Sequence, residues 1–487
     1  MIDIEESLSK MGLISNEFLI SLVIGFNYFV LFYFTVTNTV YLILLIISGK
    51  VALNQLFRSK YAGYKEIASS PLTPPISVLV PANNEKLTII ETVESLLNLE
   101  YPQHEVIVIN DGSTDETLET LIEHFHLRKV DLIYRPIIPT SPIKGFYTSP
   151  EYPNLTVIDK SKSGKPDSLN VGINVCRSPY FCTVDADTVL ERDALLKVIK
   201  PILEDPEEVV SSGGIVRVMD GCTVEHGRVT QIDLPKKSIL MCQVVEYLRS
   251  FLFGRTGWSA LNCLLVLSGA FSLFKKKVVQ EVGGYSLRTV TEDFELIVRL
   301  HRHLLEKGER YKILFIPEPV SWTQVPNRYV MLARQRRRWQ RGLATVLLSN
   351  LRMFFNPKYG RVGLFAMPYT FFIELLGPIV ELLGYVAVPL AYYFKILNVE
   401  MFWLFLILAF LYGIFLSIGA IFIEEITYRR YPKWTSLLRL MLYGILENLG
   451  YRQINAWWRL QAIFQLLFGK DSWERTTRRT FNTRPKP

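Results

Sequence analysis

Cysteine is scarce and scattered in this chain. Its five residues, Cys176, Cys182, Cys222, Cys242 and Cys263, form no Cys-x-x-Cys pair and sit in no histidine cluster. That spacing excludes a disulfide-stapled scaffold and a zinc ribbon. The five are expected as small buried hydrophobes in a reducing compartment. A P-loop is excluded because Gly164-Lys165 lacks the leading glycine of that motif. No internal repeat is visible. Residues 1–17 are net acidic and lack the basic region of a secretory signal peptide, so none is expected. Neither sign of charge dominates: 54 Lys+Arg against 46 Asp+Glu leave +8. Such an excess suits an anionic membrane surface, nucleic acid or a phosphorylated substrate, and does not choose among them. Charged residues are 21% of the 487, which argues against long disorder and against a chain lying wholly in the bilayer.

What the chain does have is long apolar runs. Mean hydropathy is +0.21. Residues 18–49 carry no charge and are long enough for one tilted membrane span. Asp3, Glu5, Glu6 and Glu17 precede this run, and Lys50, Arg58, Lys60 and Lys65 follow it. The positive-inside rule then puts the following region in the cytoplasm. Residues 401–423 are a second uncharged run. Residues 362–393 form a third run that is apolar but contains Glu374, Pro378 and Glu381. The two glutamates are seven apart and are expected on one helix face. They read either as partners for a neighbouring helix or as the lining of a polar path. The link 395–400 would be external, and Arg429, Arg430 and Lys433 would return to the cytoplasm. Residues 437–468 mix apolar residues with Arg439, Glu447, Arg452 and Arg459, a pattern of interfacial amphipathic helices. The tail, with Arg475, Arg478, Arg479 and Arg484, is basic.

Between the runs the pattern alternates. Strands are expected at 76–80, 105–109, 155–158, 180–184 and 209–218. Helices are expected at 87–98, 115–124, 166–175 and 193–203. Alternation of this kind implies an α/β domain with a mostly parallel sheet, whose ligands sit at the carboxyl ends of the strands. Residues 61–75 read as a polar linker. Residues 134–153, rich in Pro, Ser, Thr and Tyr, read as an inserted loop placed over the site.

The chemistry-bearing residues cluster at those strand ends. Strand one runs into Pro81-Ala82-Asn83-Asn84-Glu85, and strand two into Asn110-Asp111-Gly112-Ser113-Thr114-Asp115. Either one alone is also a turn with a helix cap. Gly164-Lys165 before a helix suits a diphosphate. Asp185-Ala186-Asp187 offers two hard oxygen ligands suited to Mg²⁺ or Mn²⁺ bound with a substrate diphosphate, or else a solvated loop. Thr291-Glu292-Asp293 offers a general base or a helix cap. Gln335-Arg336-Arg337-Arg338-Trp339 lies on an amphipathic stretch that suits a diphosphate or lipid headgroups.

In this order, Asp111, Gly164-Lys165, Asp185-Ala186-Asp187, Thr291-Glu292-Asp293 and Gln335-x-x-Arg338-Trp339 resemble the motifs of membrane-embedded family-2 glycosyltransferases. That family includes the processive synthases of cellulose, chitin, hyaluronan and poly-N-acetylglucosamine. Ser268-Gly269-Ala270-Phe271 is similar to the family's acceptor-end loop, and Trp473-Glu474-Arg475-Thr476-Thr477-Arg478 loosely resembles a Trp/Thr-Arg motif of some members. The resemblance implies a GT-A α/β domain joined to transmembrane and interfacial helices. It further implies that Ala82, Asn83 and Glu85 line a nucleotide pocket and that Asp111 accepts a hydrogen bond from uracil. Lys165 would meet the nucleotide or its phosphate. Asp185 and Glu292 would lie by the ribose and sugar, and Asp187 would hold Mg²⁺ or Mn²⁺. Asp293 would be the base, and Gln335, Arg338 and Trp339 would hold the diphosphate and the acceptor end. The implied reaction is inverting transfer from a UDP-sugar to a growing β-linked polysaccharide, coupled to export across the plasma membrane.

The implied organisation is an amino-terminal span (1–50), a linker (51–75) and a cytoplasmic GT-A domain (76–325). Interfacial helices (326–361), two spans (362–424) and a further interfacial and basic region (425–487) follow. Partners would be the UDP-sugar, a glycan or lipid-linked acceptor and membrane lipids. With so few spans, a wide pore calls for close packing, a second subunit or an oligomer. The nearest rival is a non-processive transferase adding one sugar to a lipid or short acceptor, which need not carry the Gln335/Arg338/Trp339 motif. A membrane-attached binding protein with an inactive transferase domain is the rival from another class. It is disfavoured because every expected acidic residue is present. Nucleic-acid binding is disfavoured because the arginines cluster beside the apolar runs and no recognition motif accompanies them.

Overall fold

The computed structural model describes residues 16–59, 63–395, 397–431, 433–469 and 480–481. The 473–478 motif, Asp3, Glu5, Glu6, Lys60 and the arginines of the tail lie outside them.

Alternating side chains build the sheet. Along β1 (Ile76–Ala82) and β2 (His104–Asp111), Ile76, Val78, Val80, Val106 and Val108 join one apolar core, while Leu79, Ile107 and Ile109 join another. Period-2 alternation in strands buried on both faces requires a layer of helices on each side. Helices α3 (Ile89–Leu97), α4 (Thr117–His124) and α6 (Ala194–Glu204) cover the first face. Helices α5 (Lys165–Val175), α9 (Lys276–Glu281) and α10 (Glu292–Lys307) cover the second. The remaining strands are β3 (Arg128–Val130), β4 (Ile143–Thr148), β5 (Leu155–Lys160), β6 (Tyr180–Val184), β7 (Thr188–Leu190), β8 (Val209–Val218), β11 (Phe271–Lys275) and β12 (Lys312–Thr323). Their order is β3-β4-β5-β2-β1-β6-β11-β8-β12-β7. A small hairpin, β9 (Thr223–Glu225) with β10 (Arg228–Gln231), stands apart.

The parallel run β5-β2-β1-β6 is the one expected from the alternation. Three strands run against the majority: β4 beside β5, β11 between β6 and β8, and β7 beside β12. Strand β12 was not legible in the sequence because Pro317 and Pro319 interrupt it, and its register with β8 shifts there. Proline removes a ladder donor and is tolerated at such irregularities.

Two expectations are corrected. The linker 61–75 contains a helix, α2 (Tyr64–Ser69), whose Tyr64 hydroxyl donates to Glu318 at 3.0 Å. The segment 134–153 is not a loop over the site. It supplies β4 to the sheet edge, and the approach to β4 is tied to α5: Ile137 N and Ile138 N donate to Asn174 Oδ1, and Ser141 N donates to Asp167. Its backbone groups are satisfied there rather than above the strand ends.

The apolar runs form helices. Helix α1 (Asn16–Ser59) and α13 (Val399–Thr427) are each long and apolar enough to cross a membrane. The third run is bent by 43° between Val362–Leu375 and α12 (Gly377–Tyr393). Pro378, which lacks an N–H, lies in the first turn of the second piece. Glu374 and Glu381 therefore lie on either side of a bend, not on one continuous helix face. Helix α7 (Ser238–Tyr247) continues through a π-helical stretch, Leu248–Arg255, into α8 (Thr256–Ala260). Helix α11 (Tyr329–Ser349) carries the arginine run, and α14 (Trp434–Leu446) and α15 (Arg452–Leu467) close the chain around the break at Leu449 and Gly450. All five cysteines are buried and none is in a disulfide among the described residues.

Candidate active site

The ends of β1, β2, β5 and β6 open into one cavity of 2470 Å³. Each wall has a local cause. At β1, Asn83 Nδ2 donates to the Asp111 carbonyl at 2.7 Å, and Asn84, at φ 61°, accepts from Thr114 N at 2.8 Å. Asparagine tolerates this left-handed conformation because its short side chain bonds nearby backbone. Glu85 is buried, its N–H donates to Thr117 Oγ1, and its carboxylate accepts from Thr88 Oγ1 at 3.2 Å. Ala82, Asn83, Glu85 and Asp111 all line the cavity.

Asp111 is engaged inside the protein. Its Oδ1 accepts from Lys160 Nζ at 2.7 Å and from Ser163 N at 2.9 Å, and its Oδ2 accepts from Gly164 N at 2.8 Å. Lys160 also pairs with Asp167 at 2.9 Å, and all three side chains are buried. This cluster clamps the turn Ser161–Gly164 and so aims the next residue, Lys165, into the cavity. Gly112, at φ 55°, permits the approach: a Cβ there would stand 2.9 Å from Lys162 N. Lys160 was missed in the sequence because it lies inside a strand, away from any motif.

Lys165 Nζ meets Asp185 Oδ1 at 2.6 Å and Glu292 Oε1 at 3.2 Å. Burial pulls its ammonium down, but Asp185, then Glu292, outweigh that and hold it charged. Asp187, at the turn after β6, is buried and lines the same cavity as Asp185. Among the described residues no three His, Cys, Asp or Glu groups converge as a metal cage. Two hard carboxylates beside an open cavity instead fit a cation that takes its other ligands from a bound diphosphate and water.

Asp293 faces these groups from the first turn of α10. Its Oδ2 accepts from Gly269 N at 3.1 Å, in the loop before β11, and its Oδ1 from Phe294 N at 2.8 Å. Burial, then the adjacent Glu292, raise its carboxyl above the usual range, against the pull of Lys165. A carboxylate raised this way is a stronger base near neutral pH.

Helix α11 closes the opposite wall. Gln335, Arg338, Trp339 and Gly342 recur at helical spacing and share one face. Gly342 lets that face reach the Thr291 turn, since a Cβ there would stand 2.3 Å from the Thr291 side chain. Arg338 and Trp339 are exposed to the cavity. Trp339 is braced by Arg336, whose guanidinium lies over its ring at 4.7 Å. Arg336 is in turn held by Glu246 at 2.7 Å, which also accepts from Tyr451 OH at 2.7 Å. Glu246 was missed in the sequence, and Arg336, read there as one of a run suited to a diphosphate or lipid headgroups, is instead paired inside the protein. An acidic residue inside the otherwise uncharged 238–248 stretch was the one available signal.

The cavity continues between the apolar helices. Tyr41 OH donates to Glu374 Oε1 at 3.3 Å, Arg459 pairs with Glu374 at 3.4 Å, and Tyr385 OH donates to Glu381 at 2.7 Å. All five residues line it.

Comparison with known proteins follows this geometry. The family described as Glycosyl transferase family 2 matches residues 77–138, and that described as Glycosyl transferase family group 2 matches 180–418. "Probable glycosyltransferase YdaM" of Bacillus subtilis (strain 168) is 28% identical over 63% of this chain and 65% of its own length. Poly-beta-1,6-N-acetyl-D-glucosamine synthase of Staphylococcus epidermidis is 30% identical over 56% of each chain. The alignments thus span somewhat less than two thirds of these curated relatives. Among solved structures, the mannosyltransferase PcManGT of Pyrobaculum calidifontis, in complex with GDP-Man and Mn²⁺, superposes with a TM-score of 0.50 at 16% identity. The overlap covers 89% of this chain and 99% of that one, a likeness of fold. The matched stretches hold the ends of β1, β2 and β6, the Asp293 turn and helix α11, and the chain belongs to the family-2 glycosyltransferases, resembling the poly-β-1,6-N-acetylglucosamine synthases.

Proposed function

We propose that this chain is an inverting hexosyltransferase that moves a sugar from a UDP-sugar to a growing β-linked polysaccharide at a membrane. One observation carries the reading. A single cavity joins Lys165, Asp185, Asp187, Asp293, Arg338 and Trp339 and continues past Glu374 and Glu381 between the apolar helices. The strand ends of β1, β2 and β5 take the nucleotide, and Arg338 faces the diphosphate. Asp187, with Asp185 beside it, would hold Mg²⁺ or Mn²⁺, a choice supported by the Mn²⁺ in the PcManGT complex. Bound there, the ion supplies positive charge against the leaving diphosphate.

The protein's own groups do the rest. An acceptor hydroxyl oxygen attacks the anomeric carbon from the face opposite the diphosphate. The bond from that carbon to the phosphate oxygen breaks, and Asp293 takes the hydroxyl proton. UDP leaves with the bonding pair, and an α-linked donor yields a β-linkage. Arg338 offsets charge on the departing diphosphate. The Trp339 face packs against the apolar face of the acceptor sugar. The aromatic and charged lining beyond Trp339 supports passage of a polar chain between the helices, with the sheet domain on the cytoplasmic side of the plasma membrane and a partner subunit or second copy completing the path.

A second reading draws on the apolar side of the same cavity, where Phe34, Phe402 and Phe405 stand. It makes the acceptor a lipid-linked sugar that receives one residue. The deciding experiment is nucleoside diphosphate release by the detergent-purified full chain across a panel of nucleotide sugars, with and without Mn²⁺ or Mg²⁺, followed by product sizing. Metal-dependent release from one UDP-sugar with long products is expected. Single-addition products would favour the second reading, and no release from any donor by folded protein would refute the transferase assignment.

A further inference from the structure

The helix that runs from Ser238 to Ala260 widens into π geometry over Leu248–Arg255. Such widened turns recur at functional sites. Two arginines project from this stretch, and their surroundings differ. Arg249 is committed to the protein, donating to Glu447 Oε1 and to Ser417 Oγ. Arg255 is not. Its guanidinium lies 3.9 Å from the centroid of the Phe251 ring, and its Nη1 is buried with no hydrogen-bond partner. It forms no ion pair among the described residues. A desolvated cation left unpaired is costly, and folded proteins keep one where a ligand completes it. Burial pulls the group down to about 10, and the carboxylate acting against that is Asp293.

The position narrows the ligand. Arg255 lines the cavity together with Asp293 and Trp258. The helix that carries it packs on α1, where a Cβ at Gly257 would stand 2.9 Å from Leu44. The Trp258 ring lies 4.9 Å from that of Tyr369, in the bent apolar run. Arg255 thus stands where the space beside Asp293 turns toward the apolar helices. Lys165 and Arg338, which answer to the donor, come from other elements. Resting on the transferase reading above, we infer that Arg255 is an acceptor-binding residue whose guanidinium donates to an oxygen of the terminal acceptor sugar. Phe251 fixes the plane of the guanidinium, and the arginine in turn fixes which acceptor hydroxyl meets Asp293.

The test compares the full chain with Arg255→Met and Arg255→Lys. Arg255→Met keeps a long apolar stem on Phe251 and removes the donors. N-acetylglucosamine, glucose and glucuronate are titrated while tryptophan fluorescence reports binding, and UDP affinity is measured separately. For the sugar that wild type binds, the half-saturating concentration is expected to rise about tenfold or more in Arg255→Met, as for a lost charge-assisted hydrogen bond. It should rise less in Arg255→Lys, and UDP affinity should stay within about twofold in both. Equal sugar binding by wild type and Arg255→Met would overturn the inference. So would a parallel loss of UDP affinity, which would put the guanidinium on the diphosphate, or a wild type that binds none of the three sugars. The titration needs no turnover. Arg255-dependent sugar binding in a chain that releases no diphosphate would refute the transferase reading and leave this site standing.

Discussion

Replacing Lys160 by methionine tests how the proposed nucleotide wall is built. The ammonium is fully buried and bonds Asp111 at 2.7 Å and Asp167 at 2.9 Å, with further bonds to Ser161 O at 2.9 Å and to Ser163 Oγ. Methionine fills a similar volume, so the loss is electrostatic rather than a cavity. Two carboxylates are left buried beside each other without their cation, and breaking a buried pair in this way costs about 3–5 kcal/mol. In a domain of this size that corresponds to roughly 6–20 °C in the melting midpoint.

Linkage adds a signature. Burial raises the Asp167 carboxyl, but Ser163 and then Lys160 outweigh it and leave the group below its usual range. A depressed carboxylate contributes stability that is present above its unfolded value and lost as pH falls through the folded one. Lys160→Met should shrink that acid-side loss, leaving the part that Ser163 supplies, along with the stability. The assay is thermal unfolding of the detergent-purified chain from pH 3 to 8, paired with UDP binding. Asp111 holds Ser163 N and Gly164 N, so the turn that presents Lys165 should loosen and UDP affinity should fall as well. A midpoint within about 2 °C of wild type with unchanged UDP binding would refute the account of this wall, being well under the loss expected for a broken buried pair.

Other perturbations follow from the same geometry. Asp293→Asn should cut turnover by about 10²–10⁴-fold while UDP binding persists. Because the Asp293 carboxyl is raised, the acid limb of the wild-type rate profile should lie above the range of an ordinary carboxylate, and activity should fall as pH drops through it; near-normal turnover by the folded variant would remove Asp293 as the base. Glu246→Gln keeps the shape but weakens the hold on Arg336, so acceptor KM should rise more than donor KM. Gly342→Ala forces a methyl into the Thr291 side chain and should push α11 off the Asp293 turn, lowering kcat at little cost in thermal stability; a variant as active as wild type would show that this approach does not set the site.

The parallel strands and their helices were legible because each is a local pattern: alternation on a sheet buried on two faces, helical spacing between turns. Strand β12 was hidden by its prolines, and β7 by its length of three residues. Residues 134–153 read as a free loop because nothing in their composition announces Asn174 and Asp167 as anchors for the chain leading into β4. The strand-end motifs were legible for a related reason. Asp111, Asp185, Asp187 and Asp293 each sit at the end of a recognisable element, and parallel strands bring such ends together.

The partners of those residues are separated in sequence. Lys160 reaches Asp111 across 49 positions, and Arg336 reaches Glu246 across 90. Arg255 and Arg249 are chemically alike and six residues apart, yet one is paired and the other is not, because only the fold decides which of them meets Glu447. The sequence by itself determined where apolar helices can form, since length and hydropathy are one-dimensional properties. Tertiary structure decided that the bent third run puts Glu374 and Glu381 along the same cavity as Asp293, because continuity of a space depends on packing between elements far apart in the chain.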